Sequence, residues 1–327
     1  MFAPQAWLVV VGSYAAIGFA FACPQDFRST AAAYVCVAFA AFLIRTFLFH
    51  LGLLLLVIAF VAGLTRRWRL LGTALPLVAF TVGPDAWSYW PRSKPTTARP
   101  TVRIMSVNLL GCNQRVAEVI GEVCDADPDL LVLQEYRRHW HQAFHRALQH
   151  DYPYNASFIR EDDFGLAIYS RLRFAGPVDF GVPLGDAGTP QARAVLHVGE
   201  RDVALYNVHF MPPKQLSWVM EQRREFADLL ELLSDEELPI ILCGDFNFTN
   251  ASVFADELER LGLLDAHRIS GRGRGATWPV LSFLRYLPAI RLDHIFLSME
   301  LTSTRSRTGV GHGSDHRPVI ADVGFAR

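Results

Sequence analysis

Acidic, amide and imidazole side chains follow a series of apolar runs in the 327-residue chain. A run that forms a strand gives a rigid end from which such side chains can be directed into one cleft. Hard divalent cations prefer oxygen ligands, and His and Asp can transfer protons. The positions that show this pattern are Asn108, Glu135, His209, Asp245, Asn247, Asp293, Asp315 and His316. Together they predict metal-assisted acid–base chemistry.

Each of these residues also has a structural explanation when it is taken alone. An Asn that ends a strand, such as Asn108, is usually a turn former, and a single His, such as His209, is usually structural. Asp245 and Asn247 follow the apolar run Pro239–Cys243. If the chain stays extended there, both side chains point to the same side; the alternative is an Asx turn that leads to a helix at Ser252. The sequence Asn247-Phe248-Thr249 also matches the glycosylation pattern.

The elements that position these residues can be predicted from periodicity. The expected strands are Val102–Asn108, Leu130–Gln134, Phe158–Ile159, Leu166–Tyr169, Arg173–Phe180, Ala192–Val198, Val203–His209, Ile240–Gly244, Leu292–Leu297 and Pro318–Val323. Helices are expected from Val116 to Cys124, over Lys214–Leu233 and over Ser252–Leu261, and Gly271–Gly275 is expected to be a mobile loop. Many strands with few long helices, in no strict alternation, predict an α+β sandwich of sheets flanked by helices.

The order of the motifs closely resembles that of the endonuclease/exonuclease/phosphatase superfamily, which includes DNase I-like nucleases, bacterial sphingomyelinases and inositol polyphosphate 5-phosphatases. The motifs are Asn108, Gln134-Glu135, Asn207-x-His209, Gly244-Asp245-Phe246-Asn247, Asp293-His294 and Ser314-Asp315-His316. The resemblance covers Arg103 to Val323. It implies a DNase I-like two-sheet β-sandwich and a metal-dependent phosphoric ester hydrolase, which is a phosphodiesterase, phosphatase or nuclease.

The resemblance also implies how a metal ion would be held. Glu135 would be the main ligand of Mg²⁺ or Mn²⁺, Asn108 would help to place the ion, and Asp315 would complete the metal side of the cleft. Some nucleases of the superfamily have an acidic residue two positions after the first Asn. Leu110 stands there in this chain, which weakens the case for a nuclease-type arrangement.

The remaining roles implied by the resemblance concern in-line attack of water on phosphorus. Asp245 would orient or deprotonate the water, and Asn247 would donate a hydrogen bond to a phosphate oxygen. His316 would act on the phosphate as an acid/base group, in the tautomer set by Asp293. His209 would protonate the leaving oxygen or stabilise charge on the phosphate. The superfamily often has Arg and Trp in the cleft, at the positions of Arg193 and Trp278.

The first 90 residues are predicted to be a transmembrane helical region. The candidate spans are Ala6–Ala22, Tyr34–Leu64 and Leu70–Trp87, because about 20 apolar residues cross a bilayer. The middle stretch carries Arg45. It could be one long tilted helix whose arginine snorkels to the interface, or two short helices with a break near Arg45. We favour three spans over four.

Charge predicts the orientation of this region. Residues 1–99 carry eight basic and two acidic side chains, whereas residues 100–327 carry 23 basic and 30 acidic ones. The cluster Thr65–Arg69 lies between two spans, and the positive-inside rule places it in the cytoplasm. One further crossing then puts the hydrolase domain, 101–327, outside the cytoplasm at the plasma (inner) membrane, after a polar linker at 91–100.

Three functions remain open. An acidic domain is a poor electrostatic partner for bulk nucleic acid, so a phospholipid headgroup or a phosphorylated metabolite is the favoured substrate, with membrane lipids around the spans. The alternative is a membrane-anchored nuclease that uses Arg137, Arg138, Arg223, Arg224, Arg272 and Arg274. A catalytically idle binding module is a third possibility, although the full set of polar residues argues against it. The sequence identifies no protein partner.

Overall fold

The structure is a computed structural model that describes residues 3–90, 95–97, 101–281 and 286–326. Most of the predicted linker at 91–100 lies outside the described residues.

Eleven strands in the described part of the chain form two sheets. The first sheet has the order β10 (Leu301–Thr308), β11 (Val319–Phe325), β1 (Val102–Asn108), β2 (Leu130–Gln134), β4 (Leu166–Ser170) and β3 (Tyr154–Phe158). The second sheet has the order β5 (Ala192–Val198), β6 (Arg201–His209), β7 (Ile240–Asp245), β9 (Asp293–Leu297) and β8 (Leu264–Asp265).

The two sheets pack face to face through alternate residues of their strands. Ile104 and Val132 of the first sheet share one buried apolar core with Leu205 and Ile241 of the second. Helices α5 (Val116–Ala126) and α6 (Arg138–Leu148) cover the outer face of the first sheet. Helices α7 (Leu216–Ser234) and α8 (Val253–Arg260) cover the second, and the short α9 (Ala266–Ser270) follows β8. The α+β, two-sheet sandwich predicted from the sequence is confirmed.

The register of the parallel strand pairs gathers the polar strand ends at one edge of the sandwich. Asn108 of β1 pairs with Gln134 of β2, and His209 of β6 pairs with Asp245 of β7. Asp293, the first residue of antiparallel β9, also pairs with Asp245. Because parallel strands end at the same edge, residues far apart in sequence become neighbours there.

Four helices precede the sandwich: α1 (Ala3–Ala22), α2 (Ala32–Thr46), α3 (Leu48–Leu64) and α4 (Trp68–Ser88). In the described residues, α1 and α4 are each long and apolar enough to cross a membrane. A third span is possible if α2 and α3, which are bent by 58° at their junction, count as one. The second alternative for the middle stretch, two helices with a break near Arg45, is therefore the one observed.

Helix α2 packs on the domain formed by the two sheets and their covering helices. Phe42 belongs to the buried aromatic cluster that also contains Phe226 and Phe254. The guanidinium of Arg45 is buried and lies 2.6 Å from Oδ2 of Asp256. Arg45 therefore bonds to the domain, and the alternative of one long helix whose arginine snorkels to the interface is not the one observed.

Some predicted elements differ from the observed ones. Arg173–Phe180 forms isolated bridges at Phe174 and Asp179 but no strand. Strand β10 was not predicted because its sequence, LTSTRSRT, is mostly polar. Helix α6 was missed although Trp140, Phe144 and Leu148 recur at helical spacing and are buried. Gly271–Gly275 contacts the end of α4, because the N–H of Gly273 donates to the carbonyl of Ser88.

Candidate active site

All of the predicted site residues except Arg193 meet at or directly behind one cleft of about 510 Å³. Its lining includes Glu135, His209, Asp245, Asn247, Trp278, Asp315 and His316. Asn108 and Asp293 lie directly behind it, since Asn108 donates to Asp245 and Asp293 bonds to His316. Most of these side chains are buried, with Asp245 and Asp293 each only 1% exposed.

Asp245 lies at the centre of the cleft. Its Oδ2 accepts a hydrogen bond of 3.0 Å from Nδ2 of Asn108. The same oxygen lies 3.6 Å from Nε2 of His209 and 3.7 Å from Nε2 of His316. These separations leave both imidazoles beside the carboxylate without a short direct bond to it.

The chain turns immediately after Asp245. Oδ1 of Asp245 accepts from the backbone N–H of Asn247 at 3.0 Å, and Asn247 has a φ of 52°. This is an Asx turn, so the extended backbone that period-two spacing assumed does not continue, although both side chains still line the cleft. Phe248 and Thr249 are buried, and the Asn247 amide donates to the carbonyl of Phe210. The glycosylation pattern is therefore not an accessible acceptor.

His316 is held by a chain of hydrogen bonds. Its Nδ1 lies 2.8 Å from Oδ2 of Asp293. Its backbone N–H donates to Oγ of Ser314, which in turn donates to the carbonyl of Asn108. Burial lowers the pKa of His316, but the Asp293 and Asp245 carboxylates outweigh burial and raise the pKa to about 10. The ring is therefore a cation near neutral pH.

The pKa values of the two central aspartates are shifted in opposite directions. Burial raises the pKa of Asp245, against the attraction of His316. Burial also raises the pKa of Asp293, but His316 and the Thr277 hydrogen bond outweigh burial and lower this pKa below its ordinary value. Environments that separate the pKa values of neighbouring acids favour different roles for them. Asp293 is the permanent anion, and Asp245 is the group able to accept a proton.

Glu135 and Asp315 also line the cleft. Oε2 of Glu135 accepts from the N–H of Gly111 at 2.7 Å, and Oδ2 of Asp315 accepts from Nε1 of Trp278 at 3.1 Å. Burial raises the pKa of Glu135. Oδ1 of Asp315 and Oδ1 of Asp293 are buried and have no hydrogen-bond partner within the described residues. Such oxygens fit a hard divalent cation, which would compensate the buried negative charge.

A compact group of possible ligands also occurs at Asp245, Asp293 and His316, whose ligand atoms lie within 4.8 Å of one another. However, Nδ1 of His316 is already bonded to Asp293, and a protonated imidazole does not bind metal. We therefore favour the oxygen ligands of Asn108, Glu135 and Asp315 for the cation.

Backbone strain is concentrated at this cleft. Leu110, Glu135 and Asn247 line it, and each has a φ between 52° and 56°. Residues other than glycine rarely adopt this left-handed backbone conformation, which costs about 1–3 kcal/mol per residue. The fold therefore maintains an unfavourable backbone where it positions the cleft residues.

A buried amide network supports the strand ends. The Gln191 side chain both donates to the carbonyl of His209 and accepts from its N–H, at 3.1 and 2.8 Å. Nε2 of Gln134 donates to Oδ1 of Asn207 across the two sheets at 2.8 Å. Gln191 was not predicted as a supporting residue. The signal available in the sequence was a polar amide placed immediately before the apolar run of β5.

Arg193 is not brought to the cleft. Residues 192 and 194 face the inter-sheet core, so Arg193 points to the opposite face of β5. Its Nη2 lies 2.7 Å from Oε2 of Glu236, and its Nε donates to the hydroxyl of Tyr206. The prediction of a substrate contact is corrected for this residue. Trp278, in contrast, lines the cleft.

The six arginines considered for nucleic-acid binding are dispersed. Of these, only Arg137 lines the described part of the cleft, and it bonds to Asp163 at 2.8 Å. Arg223 is buried against the carbonyl of Asp26, and Arg274 lies 3.4 Å from Asp85. The remaining three are bonded to Glu161, Glu221 and the carbonyl of Tyr89. They do not form a basic surface along the cleft.

The model of the endonuclease/exonuclease/phosphatase family matches residues 105–316, most of the chain, and contains every residue of the cleft except those contributed by α2 and its junction with α3. The chain belongs to this family. No curated protein matches the chain.

Solved structures share the family fold at low sequence identity. The endonuclease/exonuclease/phosphatase from Beutenbergia cavernae DSM 12333 is 17% identical, with a TM-score of 0.59 over 70% of this chain and 72% of that chain. D. rerio TDP2 complexed with a single-strand DNA product is 17% identical, with a TM-score of 0.58 over 69% and 100%. The 3′ phosphatase NExo from Neisseria, bound to a product DNA hairpin, is 24% identical, with a TM-score of 0.56 over 69% and 100%.

Family membership supports a phosphoester hydrolase or nuclease. The buried carboxylate and imidazole groups agree with the divalent metals that members of this family generally use.

Proposed function

We propose that this family member is a membrane-anchored, divalent-metal-dependent hydrolase of phosphate esters. The observation that carries the proposal is the position of Asp245, whose Oδ2 lies between two imidazoles, His209 at 3.6 Å and His316 at 3.7 Å. A general base flanked by two groups that can stabilise or protonate phosphate oxygens is the arrangement that hydrolysis of a phosphoester needs.

In the proposed reaction, Asp245 takes a proton from a water molecule that attacks phosphorus in line with the leaving oxygen. Its raised pKa makes it a stronger base than an ordinary aspartate. Imidazolium His316, which Asp293 keeps charged, stabilises negative charge on the phosphate. His209 donates a proton to the leaving oxygen, and Asn247 donates a hydrogen bond to a phosphate oxygen.

The metal is proposed to be Mg²⁺ or Mn²⁺, held by Glu135 and Asp315 with help from Asn108. When bound, it supplies electrophilic stabilisation of the phosphate oxygens. Glu135 is suited to this position because its carboxylate is almost fully buried and accepts a hydrogen bond from the uncharged N–H of Gly111.

The proposed anchoring uses α1, α3 and α4 as spans, with the hydrolase domain outside the cytoplasm. Helix α3 has 17 residues, close to the shortest length that crosses a bilayer. Contacts at Asp26, His50 and Asp85 join the helices to the domain. Arg66 and Arg67 lie between α3 and α4, at the opposite end of α4 from Asp85, and their charge favours the cytoplasm.

A membrane-anchored nuclease is the second candidate, because two of the similar structures contain product DNA. The dispersal of the six arginines and the acidic balance of residues 100–327 make this candidate less favourable. Binding to a phosphate backbone normally uses clustered Lys and Arg, and weakens steeply as salt increases.

The test of the proposed function is turnover by the full-length protein in detergent with bis(p-nitrophenyl) phosphate, p-nitrophenyl phosphate and single-stranded DNA. We expect Mg²⁺- or Mn²⁺-dependent hydrolysis that falls at least about 100-fold in Asp245→Ala, because a general base contributes roughly 10²–10⁴-fold. Asp125→Ala, an exposed position on α5, is the matched control. Equal turnover by Asp245→Ala and the control would refute the mechanism. A preference for DNA with steep salt dependence would establish the second candidate.

A further inference from the structure

One wall of the catalytic cleft is made by the N-terminal helices. Phe42, Leu43, Thr46 and Phe47, from α2 and its junction with α3, line the same cleft as Asp245. The hydrolase fold therefore does not enclose the cleft alone. The junction of α2 and α3 brings the N-terminal helices into direct contact with the cleft where a substrate would bind.

Helix α2 has two different faces. The face on the domain is buried and includes Val35, Ala38, Phe42 and Arg45. The opposite face is exposed and carries no charged side chain; its residues are Ala33, Cys36, Val37, Ala40, Leu43 and Phe47. Val37, Leu43 and Phe47 are 46%, 38% and 46% exposed, so this face, which we call the α2 stripe, has no covering element in the described chain.

The bilayer is the occupant that fits the α2 stripe. At Phe47 the stripe continues into α3, whose side chains Leu54, Val57 and Phe60 are also exposed and apolar. Trp87 and Trp90, at the domain end of α4, are 65% and 67% exposed. Tryptophan is enriched at the level of lipid headgroups, so this end of the helices is at the membrane surface. Helix α2 then lies in the interface, with its stripe toward the acyl chains.

The cleft itself combines a polar floor with an apolar rim. Glu135, Asp245 and His316 form the floor, whereas Pro212, Trp218 and Phe47 belong to the rim. A small water-soluble phosphate ester would leave the apolar rim without a partner. An amphipathic molecule matches both parts, because its phosphate can reach the floor while its hydrocarbon part remains on the rim.

We infer that the substrate is a phosphoester lipid that reaches the cleft directly from the bilayer, with its hydrocarbon chains along Leu43 and Phe47. The inference rests on the proposed function and names its substrate class. Water oxygen bonds to phosphorus, the ester P–O bond breaks, and the leaving oxygen takes a proton, which yields an alcohol and a phosphate or phosphomonoester. Lateral access avoids extracting the lipid, which would move its hydrocarbon chains into water at a cost that grows with each CH₂ group.

The test compares lipids with chain-free molecules that have the same headgroup. Full-length protein in phosphatidylcholine vesicles is supplied with phosphatidylethanolamine, phosphatidylglycerol, phosphatidylinositol, phosphatidic acid or sphingomyelin. The deacylated glycerophospho compounds serve as the chain-free partners, with glycerophosphocholine as the phosphodiester partner of sphingomyelin. Bis(p-nitrophenyl) phosphate is the common reference. We expect hydrolysis of at least one lipid with kcat/KM at least about tenfold above that of its partner, which corresponds to about 1.4 kcal/mol.

A matched pair of variants tests the role of α2. In Leu43→Gln/Phe47→Gln, the ratio of lipid turnover to bis(p-nitrophenyl) phosphate turnover should fall about tenfold, whereas Met299→Gln, at an exposed apolar residue of the domain, should keep the ratio. The milder Leu43→Ala/Phe47→Ala should give a smaller loss in the same direction. An unchanged ratio in both double variants would overturn the inference.

The proposed function and the lipid substrate class can be refuted separately. Turnover of bis(p-nitrophenyl) phosphate that requires Asp245, without hydrolysis of any lipid above its chain-free partner, would overturn the substrate class and leave the proposed function intact. Absence of Asp245-dependent turnover on every substrate would overturn both.

Discussion

Nδ1 of His316 lies 2.8 Å from Oδ2 of Asp293, and both side chains are almost completely buried. This pair keeps the imidazole charged over most of the physiological pH range. The ordinary pKa of His is about 6.5, and that of His316 is raised to about 10. The stabilisation of the folded state by charged His316 is therefore fully present below about pH 6.5 and is lost as pH rises through about 10.

The first prediction concerns the pH profile of Asp293→Asn. Loss of the anion lowers the pKa of His316, so the alkaline limb of kcat/KM should move to lower pH and turnover at pH 8 should decrease at least tenfold. The profile is measured from pH 5 to 10.5 with bis(p-nitrophenyl) phosphate. His145→Gln, at an exposed His of α6, should keep the limb of the parent protein. An unmoved limb in Asp293→Asn would show that the pair does not control activity.

The second prediction concerns the metal. Addition of Mg²⁺ or Mn²⁺ to chelator-treated protein should raise the Tm, because a ligand at 100 times its Kd stabilises the folded state by about 2.7 kcal/mol. The rise should be absent in Glu135→Gln, which removes the charge but keeps the side-chain shape, and it should persist in Glu118→Gln on α5. Calorimetry and turnover are measured on the same samples. Equal increases in Tm for both variants would exclude Glu135 as a ligand.

The third prediction separates Arg193 from the cleft. Arg193→Gln should keep kcat and KM within about twofold, because the guanidinium bonds to Glu236 on the other face of the sheet. The side chain is one-third exposed, so the loss of unfolding free energy should be only about 1 kcal/mol. Kinetics and chemical denaturation measure the two effects. A large loss of kcat would return Arg193 to the list of substrate contacts.

The fourth prediction concerns a buried network that underlies β9. Asp265 bonds to Arg291 at 3.0 Å and to His294 at 2.7 Å. Burial would raise the pKa of Asp265, but Arg291 and His294 hold it far below its ordinary value. Asp265→Asn leaves a buried Arg uncompensated and should cost about 3–5 kcal/mol of unfolding free energy.

The pH dependence of this effect has a defined sign. Because the pKa of Asp265 is depressed in the folded state, its stabilisation is present above about pH 3.9 and is lost as pH falls through the folded value. The difference in unfolding free energy between the parent protein and Asp265→Asn should therefore become smaller at acidic pH. The partly exposed pair of Arg103 and Asp322, whose side chains are 36% and 22% exposed, provides the control, and Asp322→Asn should cost less than about 1 kcal/mol. A cost of that small size for Asp265→Asn would contradict the prediction.

The sequence predicted the parts of the fold that depend on local pattern. Strands β1, β2 and β5 have the predicted bounds, because their apolar runs end at turn or polar residues. The pattern could not define the backbone at Asn247, since the Asx turn depends on the Asp245 carboxylate rather than on alternation. It also could not reveal that Arg193 faces away from the cleft, because the face of a strand is decided by what the neighbouring sheet and helices bury.

The position of Arg45 is a stronger example of a contact that local sequence pattern cannot predict. An arginine in a hydrophobic stretch predicts an interfacial side chain, but its partners, Asp256 and the carbonyl of Ala251, are about 200 residues away in the sequence. Pairing of this kind depends on the assembled tertiary structure. The same holds for Phe42, which is one more apolar residue of a presumed span in the sequence and a member of the domain core in the structure.

Under the proposed membrane anchoring, the contact between α2 and the domain has a consequence for release of the domain by proteolysis. The domain is joined to the helices by the Phe42 aromatic cluster and by the bonds of Arg28 and Arg45 to Asp228 and Asp256, as well as by the covalent chain. A protease that cuts between Trp90 and Val102 would break only the covalent connection. We expect the two fragments to remain associated, so one cut in this segment would not release the domain from the proposed anchor.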